Sequence, residues 1–149
     1  MATSLKFELL MPFFADNMAL DLLKVFPSVK VRWDEHLEFW GDEEPGYYND
    51  MSVFAHQIVE CYRCGQTNEF GSVFALIERF ISEGPIDVRE LATIGLLEDI
   101  RIIGSHDDWG HKVYEQWLGP KSKIAWREIE RVWEGKTSLM DVVRSERNK

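Results

Sequence analysis

Residues 69–104 read EFGSVFALIERFISEGPIDVRELATIGLLEDIRIIG, and this stretch decides the fold class. In its first half Phe70, Val73, Phe74, Ile77, Phe80 and Ile81 recur at i, i+3, i+4, i+7, while Glu78, Arg79 and Glu83 occupy much of the other side. That is the period of a helix with one apolar face. Gly84-Pro85 then supplies a stop and a restart, because glycine suits the residue after a helix and proline the first turn of the next. Asp87 is expected to cap the second helix. Here Leu91, Ala92, Ile94, Gly95, Leu96 and Leu97 leave little polar face. A helix apolar nearly all round belongs in the middle of a domain. Gly104 closes it, ahead of the polar loop Ser105-His106-Asp107-Asp108.

Helical periods continue on both sides. Residues 5–26 are expected to be helical, with Met18, Leu22 and Val25 or Phe26 at helix spacing and Pro12 starting, breaking or kinking the segment. Pro27-Ser28 leads into a helix carrying Val31, Trp33, Leu37 and Trp40 and ending near Gly41. Residues 41–50, GDEEPGYYND, are dense in turn formers and form the clearest loop. Asp50 or Ser52 is expected to cap a third helix with the stripe Met51, Phe54, Ile58, Cys61, ended by Gly65. Toward the C-terminus a short helix carries Val113, Tyr114, Trp117 and Leu118, and Gly119-Pro120 divides it from the stripe Ala125, Trp126, Ile129, Val132, Trp133, closed by Gly135. Residues 138–149 are expected to form a short helix with a partly frayed tail. No period-two run is flanked by hairpin turns. The expectation is a single all-α domain over residues 1–149. It has seven to eight short helices in antiparallel pairs, packed as a compact bundle or a HEAT-like stack.

A chain of 149 residues suits one domain and buries about 69% of its unfolded surface, enough for a core without metals or disulfides. With 45% hydrophobic and 13% aromatic residues it is not an intrinsically disordered sequence. No apolar run approaches the length of a transmembrane span. The N-terminal stretch has no basic region and carries Glu8 within its apolar part, so no signal peptide is expected. Asp and Glu number 26 against 17 Lys and Arg, a formal charge of −9. That balance argues against nonspecific binding to DNA or anionic membranes. The two cysteines suit a reducing cytoplasm.

Three constellations invite chemistry. Cys61 and Cys64 stand at i and i+3, close enough on a helix to share a metal or form a redox pair, but a structural zinc needs four ligands and thioredoxin-like chemistry a βαβ setting. The plainer reading is two cysteines near a helix end, Cys61 facing the core. His106-Asp107 resembles the His-Asp pair of helical metal-dependent phosphohydrolases. That scheme would enlist His56 and Asp141, whereas a polar loop with helix-capping aspartates serves equally. His36, among Trp33, Asp34, Glu35, Glu38 and Trp40, has the composition of an acid–base site or sugar platform and equally that of a helix with its acids in water. Phosphate loops, GxSxG elbows and HExxH zinc helices are missing. No catalytic residue, metal or cofactor is therefore expected.

Charge distribution is more informative. Between Trp33 and Tyr62 lie Asp34, Glu35, Glu38, Asp42, Glu43, Glu44, Asp50 and Glu60, with no Lys or Arg. Trp40, Tyr47 and Tyr48 share that segment. Steering charge beside rigid aromatic anchors is what a tight protein interface uses. The expected partner-binding residues are Asp34, Glu35, Glu38, Trp40, Asp42, Glu43, Glu44, Tyr47 and Tyr48, and the expected partner is a basic protein.

Residues 74–84 (FALIERFISEG) and 88–100 (VRELATIGLLEDI), with 118–122 (LGPKS), Trp126 and Trp133, resemble a family of small bacterial all-helical proteins of undefined biochemistry. The resemblance implies a HEAT- or ARM-like helical fold. It also implies kinship with the immunity proteins encoded beside polymorphic toxins, which bind and neutralise a cognate toxin without catalysis. On that reading the acidic segment would occlude the toxin's basic active-site cleft. The alternatives are a helical adaptor or regulatory protein using a groove of the stack, and the metal-dependent phosphohydrolase built on His56, His106, Asp107 and Asp141.

Overall fold

The structure, a computed structural model, describes residues 13–147, with side chains described for residues 13–135. Every regular element among them is helical, so the all-α class expected from the periodicity is what the chain adopts. A 3-10 turn (Ala15–Asn17) leads into α1 (Met18–Val25), and a second (Pro27–Val29) into α2 (Lys30–Trp40). Then follow α3 (Tyr47–Arg63), α4 (Phe70–Glu83), α5 (Ile86–Glu90), a π-helical segment (Leu91–Glu98) and α6 (Asp99–Gly104). A 3-10 helix (Lys112–Trp117) and α7 (Pro120–Arg147) complete the order.

The core sits where α3 crosses the π-helical segment and α6, flanked by α4. All of the α4 stripe up to Phe80 is buried, and Phe26, Phe54, Phe70, Phe74, Phe80, Tyr114 and Trp126 are fully enclosed. The nearly all-apolar stretch is central, as its composition requires, with Leu91, Ala92, Gly95, Leu96 and Leu97 inside. Only Ile94 of that set faces water. Gly95 has a packing reason. A Cβ there would lie 3.1 Å from Met51 Cβ and 3.5 Å from Tyr48 Cδ1, so glycine lets the widened π turn close onto α3.

Helix boundaries correct several expectations. α3 begins at Tyr47, a turn earlier than an Asp50 or Ser52 cap would place it. Gly46, at φ 87°, turns the chain there, and the Asp50 N–H already bonds Gly46 O at 3.1 Å. The loop thus shrinks to residues 41–46, and Tyr47 and Tyr48 lie in the first turn of a helix. Likewise α5 begins at Ile86 after Pro85, with Asp87 inside the first turn, where its Oδ1 accepts from Val88 N–H at 2.9 Å. Gly135 does not end a helix; α7 continues through it to Arg147, 28 residues in all. A helical glycine costs about 1 kcal/mol relative to alanine but keeps its backbone hydrogen bond. Over residues 138–147 the expected short terminal helix is therefore part of this one long helix, and residues 148–149 lie outside the described residues. Residues 5–12, with Pro12, lie outside the described residues.

Glu78 lies on the polar side of α4, and the fold gives it a further role. Its carboxylate accepts from the Lys121 N–H at 2.6 Å and the Ser122 N–H at 2.9 Å, so α4 caps the N-terminus of α7. Gly119 makes room, because a Cβ there would lie 2.5 Å from the Glu78 carboxylate.

Candidate partner-binding face

α2 is bracketed by the turn at Pro27 and by Gly41, whose φ of 56° ends the helix while its N–H bonds Leu37 O at 3.0 Å. It docks on α3 through Trp33, His36 and Trp40, one residue per turn. The Trp33 ring packs on Phe54 at 5.4 Å and on His36 at 5.2 Å, and Trp40 meets the His36 ring at 6.3 Å. His36 Nε2 lies 2.8 Å from Asp50 Oδ1, both largely covered. Arg32 Nε–H donates to Gln57 Oε1 at 2.9 Å. These contacts use one narrow stripe. Val31, Leu37 and Phe39 are left in water, Phe39 at 82% exposure.

Between the two helices runs a cleft of about 440 Å³, whose lining includes Arg32, Glu35, His36, Phe39, Trp40 and His56. The expected site residues distribute around it unevenly. Glu35 and Trp40 line the cleft, Trp40 half-buried with its ring 5.8 Å from Phe39. Asp42, Glu43 and Glu44 stand exposed on the loop that follows, and Glu38 is exposed on α2. Asp34 turns back to Lys30, 2.5 Å away, an exposed pair that leaves its charge partly answered. Tyr48 lies over Gly95. Tyr47 is no free anchor, since its hydroxyl donates to the Asp16 carboxylate. That bond, with the charges of Asp16, Asp87 and Glu44, raises the phenol above its ordinary value.

Folding therefore adds three residues that the sequence reading missed. Asp16 and Asp87, far away in the chain, join the acidic surface beside Tyr47. Phe39 is the most exposed large apolar side chain described. Phe39 had a local signal, an aromatic off the Trp33–His36–Trp40 stripe, whereas the two aspartates had none.

The other constellations take structural positions. Cys61 is buried and Cys64 exposed, both free thiols. Burial raises the Cys61 thiol, and the Glu60 carboxylate, 3.5 Å away, raises that of Cys64, so neither is poised as a thiolate. Both oxygens of Asp107 accept from Arg63 Nε–H at 3.0 Å, which ties the loop after α6 to the end of α3 rather than leaving an arm open to a metal. His56 is exposed on α3 beside the cleft, His106 stands past the end of α6, and the side chain of Asp141 lies outside the described residues. Among the described residues no three His, Cys, Asp or Glu side chains gather closely enough to hold a metal ion. Nor is any helix there long and apolar enough to cross a membrane.

No curated protein and no solved structure matches the chain. One family model does, over residues 19–134, which run from α1 into α7 and include the whole cleft and acidic loop. The chain belongs to the DUF7674 family, a domain of unknown function.

Proposed function

We propose that this protein is a noncatalytic, cytoplasmic immunity protein with a HEAT-like helical build, which neutralises a cognate bacterial toxin by covering its basic active-site cleft. The observation that carries the reading is the outer face of α2 and its loop. Phe39, 82% exposed, projects beside half-buried Trp40 and among Glu35, Glu38, Asp42, Glu43 and Glu44, in a segment without Lys or Arg from residue 34 to 61. An exposed aromatic ring in an acidic segment suits a cationic cleft. The ring supplies desolvated contact area, and the acids speed encounter and lose their effect as salt screens them. Phe39 replaces Tyr47 as the principal anchor, because Tyr47 is tied to Asp16.

The test is association with the partner captured from the source organism. Replacing Asp42, Glu43 and Glu44 together by Ala should slow association about ten-fold at low salt and flatten its salt dependence. Phe39→Ala should instead speed dissociation. Unchanged kinetics in both would discard this face.

The adaptor reading rests on a different surface. A groove between the π-helical segment and α7 exposes Ile86, Ile94, Ile124 and Val132. Ile124→Glu would abolish capture of a partner held there and leave one held at Phe39 untouched.

A further inference from the structure

At the corner of α6, the 3-10 helix and α7, away from the acidic face, lies a pocket of about 320 Å³ lined by Arg101, Ile102, Ser105, His106, His111 and Trp133. Its walls are largely apolar, from Ile102 and Trp133, and its one permanent charge is Arg101. Other arginines of the described residues, part-buried Arg32 and exposed Arg63, are answered. Arg63 is held by Asp107 and Arg32 by Gln57. Arg101 is not, since its Nε is buried without a hydrogen-bond partner and no carboxylate stands within ion-pair distance among the described residues. A buried guanidinium N–H left unpaired is costly, and in a chain with 26 acidic residues a counter-ion is not scarce.

The same corner gathers further unanswered polar atoms. Glu130 Oε1 is buried without a hydrogen bond and lies 3.6 Å from His111 Nε2. Tyr114 Oη is buried and unpartnered, its ring packed against Gly104. Of the four such atoms among the described residues, Arg101 Nε is the one that belongs to the lining of this pocket, and a buried unpaired group in a native fold calls for a missing partner.

We propose that this pocket binds a small organic carboxylate, one negative charge on an aromatic or branched aliphatic body, with Arg101 as its counter-ion. The planar guanidinium fork matches a carboxylate in two parallel hydrogen bonds. Ile102 and Trp133 receive the apolar body, and the volume is at the small end of ligand pockets, suiting a single ring. His111 favours a monoanion over a phosphate dianion. Burial, and then the charge of Arg101, lower its pKa and disfavour a second cation beside Arg101, while its Nε2 faces Glu130 at 3.6 Å. Ser105 Oγ already donates to Ile102 O at 2.7 Å, so it orients the end of α6.

The test titrates the unmodified protein, at fixed ionic strength, with phenylacetate, its uncharged amide, and inorganic phosphate. Tryptophan fluorescence and the backbone resonances of residues 101–111 report binding. Phenylacetate should shift the 101–111 resonances saturably, and the amide and phosphate should each bind about ten-fold or more weakly. Arg101→Gln, with an unchanged circular dichroism spectrum and melting midpoint, should weaken phenylacetate at least about ten-fold. Amide binding as tightly as the acid, phosphate binding more tightly than phenylacetate, no saturable shift, or an Arg101→Gln protein of unaltered affinity would each overturn the proposal. The ligand series needs no variant, so a misfolded Arg101→Gln protein would not protect it.

Discussion

α4 and α2 are both helices of ordinary length with comparable numbers of large apolar residues, and they use them in opposite ways. In α4 the apolar positions keep helix period, and Phe70, Val73, Phe74, Leu76, Ile77 and Phe80 are all buried. In α2 they are spread round the axis; Trp33 alone is buried, while Val31, Leu37 and Phe39 face water. Periodicity is thus evidence about the core, and apolar residues out of period are evidence about a partner.

The largest effect should separate the two helices outright. Phe74→Ala opens a cavity in a fully packed region and should cost about 3–5 kcal/mol in urea denaturation. A loss near 1 kcal/mol would mean that α4 is less central than its burial indicates. Glu78→Ala should cost about 1–2 kcal/mol by uncapping α7, with Glu78→Gln recovering part of it. Equal stability of all three proteins would show the cap to be idle.

Tyr114→Phe removes a buried hydroxyl that has no partner and should leave stability unchanged or raise it by about 1 kcal/mol. It should also shrink a loss on the alkaline side, to which Tyr47 and the two cysteines contribute as well. Burial pushes the Tyr114 phenol well above its ordinary 10.0, so above that pH the unfolded chain releases a proton that the folded chain keeps, and stability falls as pH rises. His111 gives the acid counterpart. Its folded pKa lies below the ordinary 6.5, so as pH falls below that value the unfolded chain binds a proton first and stability declines. His111→Gln should flatten that limb of the curve, and an unaltered limb would place the titration elsewhere.

The smallest effect on stability belongs to α2. Phe39→Ala should change stability by less than about 0.5 kcal/mol, because the ring has almost nothing to lose. A cost above about 2 kcal/mol would make Phe39 a packing residue and remove it from the proposed interface.

The fold class, the α4 stripe and the central apolar stretch were legible because burial writes a period into the sequence. The boundaries of α3 and α7 were less so. Gly46 starts a helix at positive φ although Asp50 offers the better cap by composition, and Gly135 passes unmarked through a helix that neighbouring turns sustain. The acidic run itself was readable, but its edges were not. Asp16 and Asp87 reach it only through tertiary contacts, and the freedom of Tyr47 depended on whether Asp16 stood beside it. The unpaired state of Arg101 is likewise a property of the packed chain, invisible where Glu98 and Asp99 stand near it in sequence.

The most direct test of the central claim, that the Phe39 face binds a basic protein, is affinity capture from the source organism. The unmodified chain and a variant carrying Phe39→Ala with Asp42, Glu43 and Glu44 replaced by Ala would be compared at low and high salt, with mass spectrometry of what is retained. A single stoichiometric basic, toxin-like protein held by the unmodified chain, weakened by salt and absent from the variant, is the predicted result. Equal retention by the variant, or no such partner at either salt concentration, would contradict the claim.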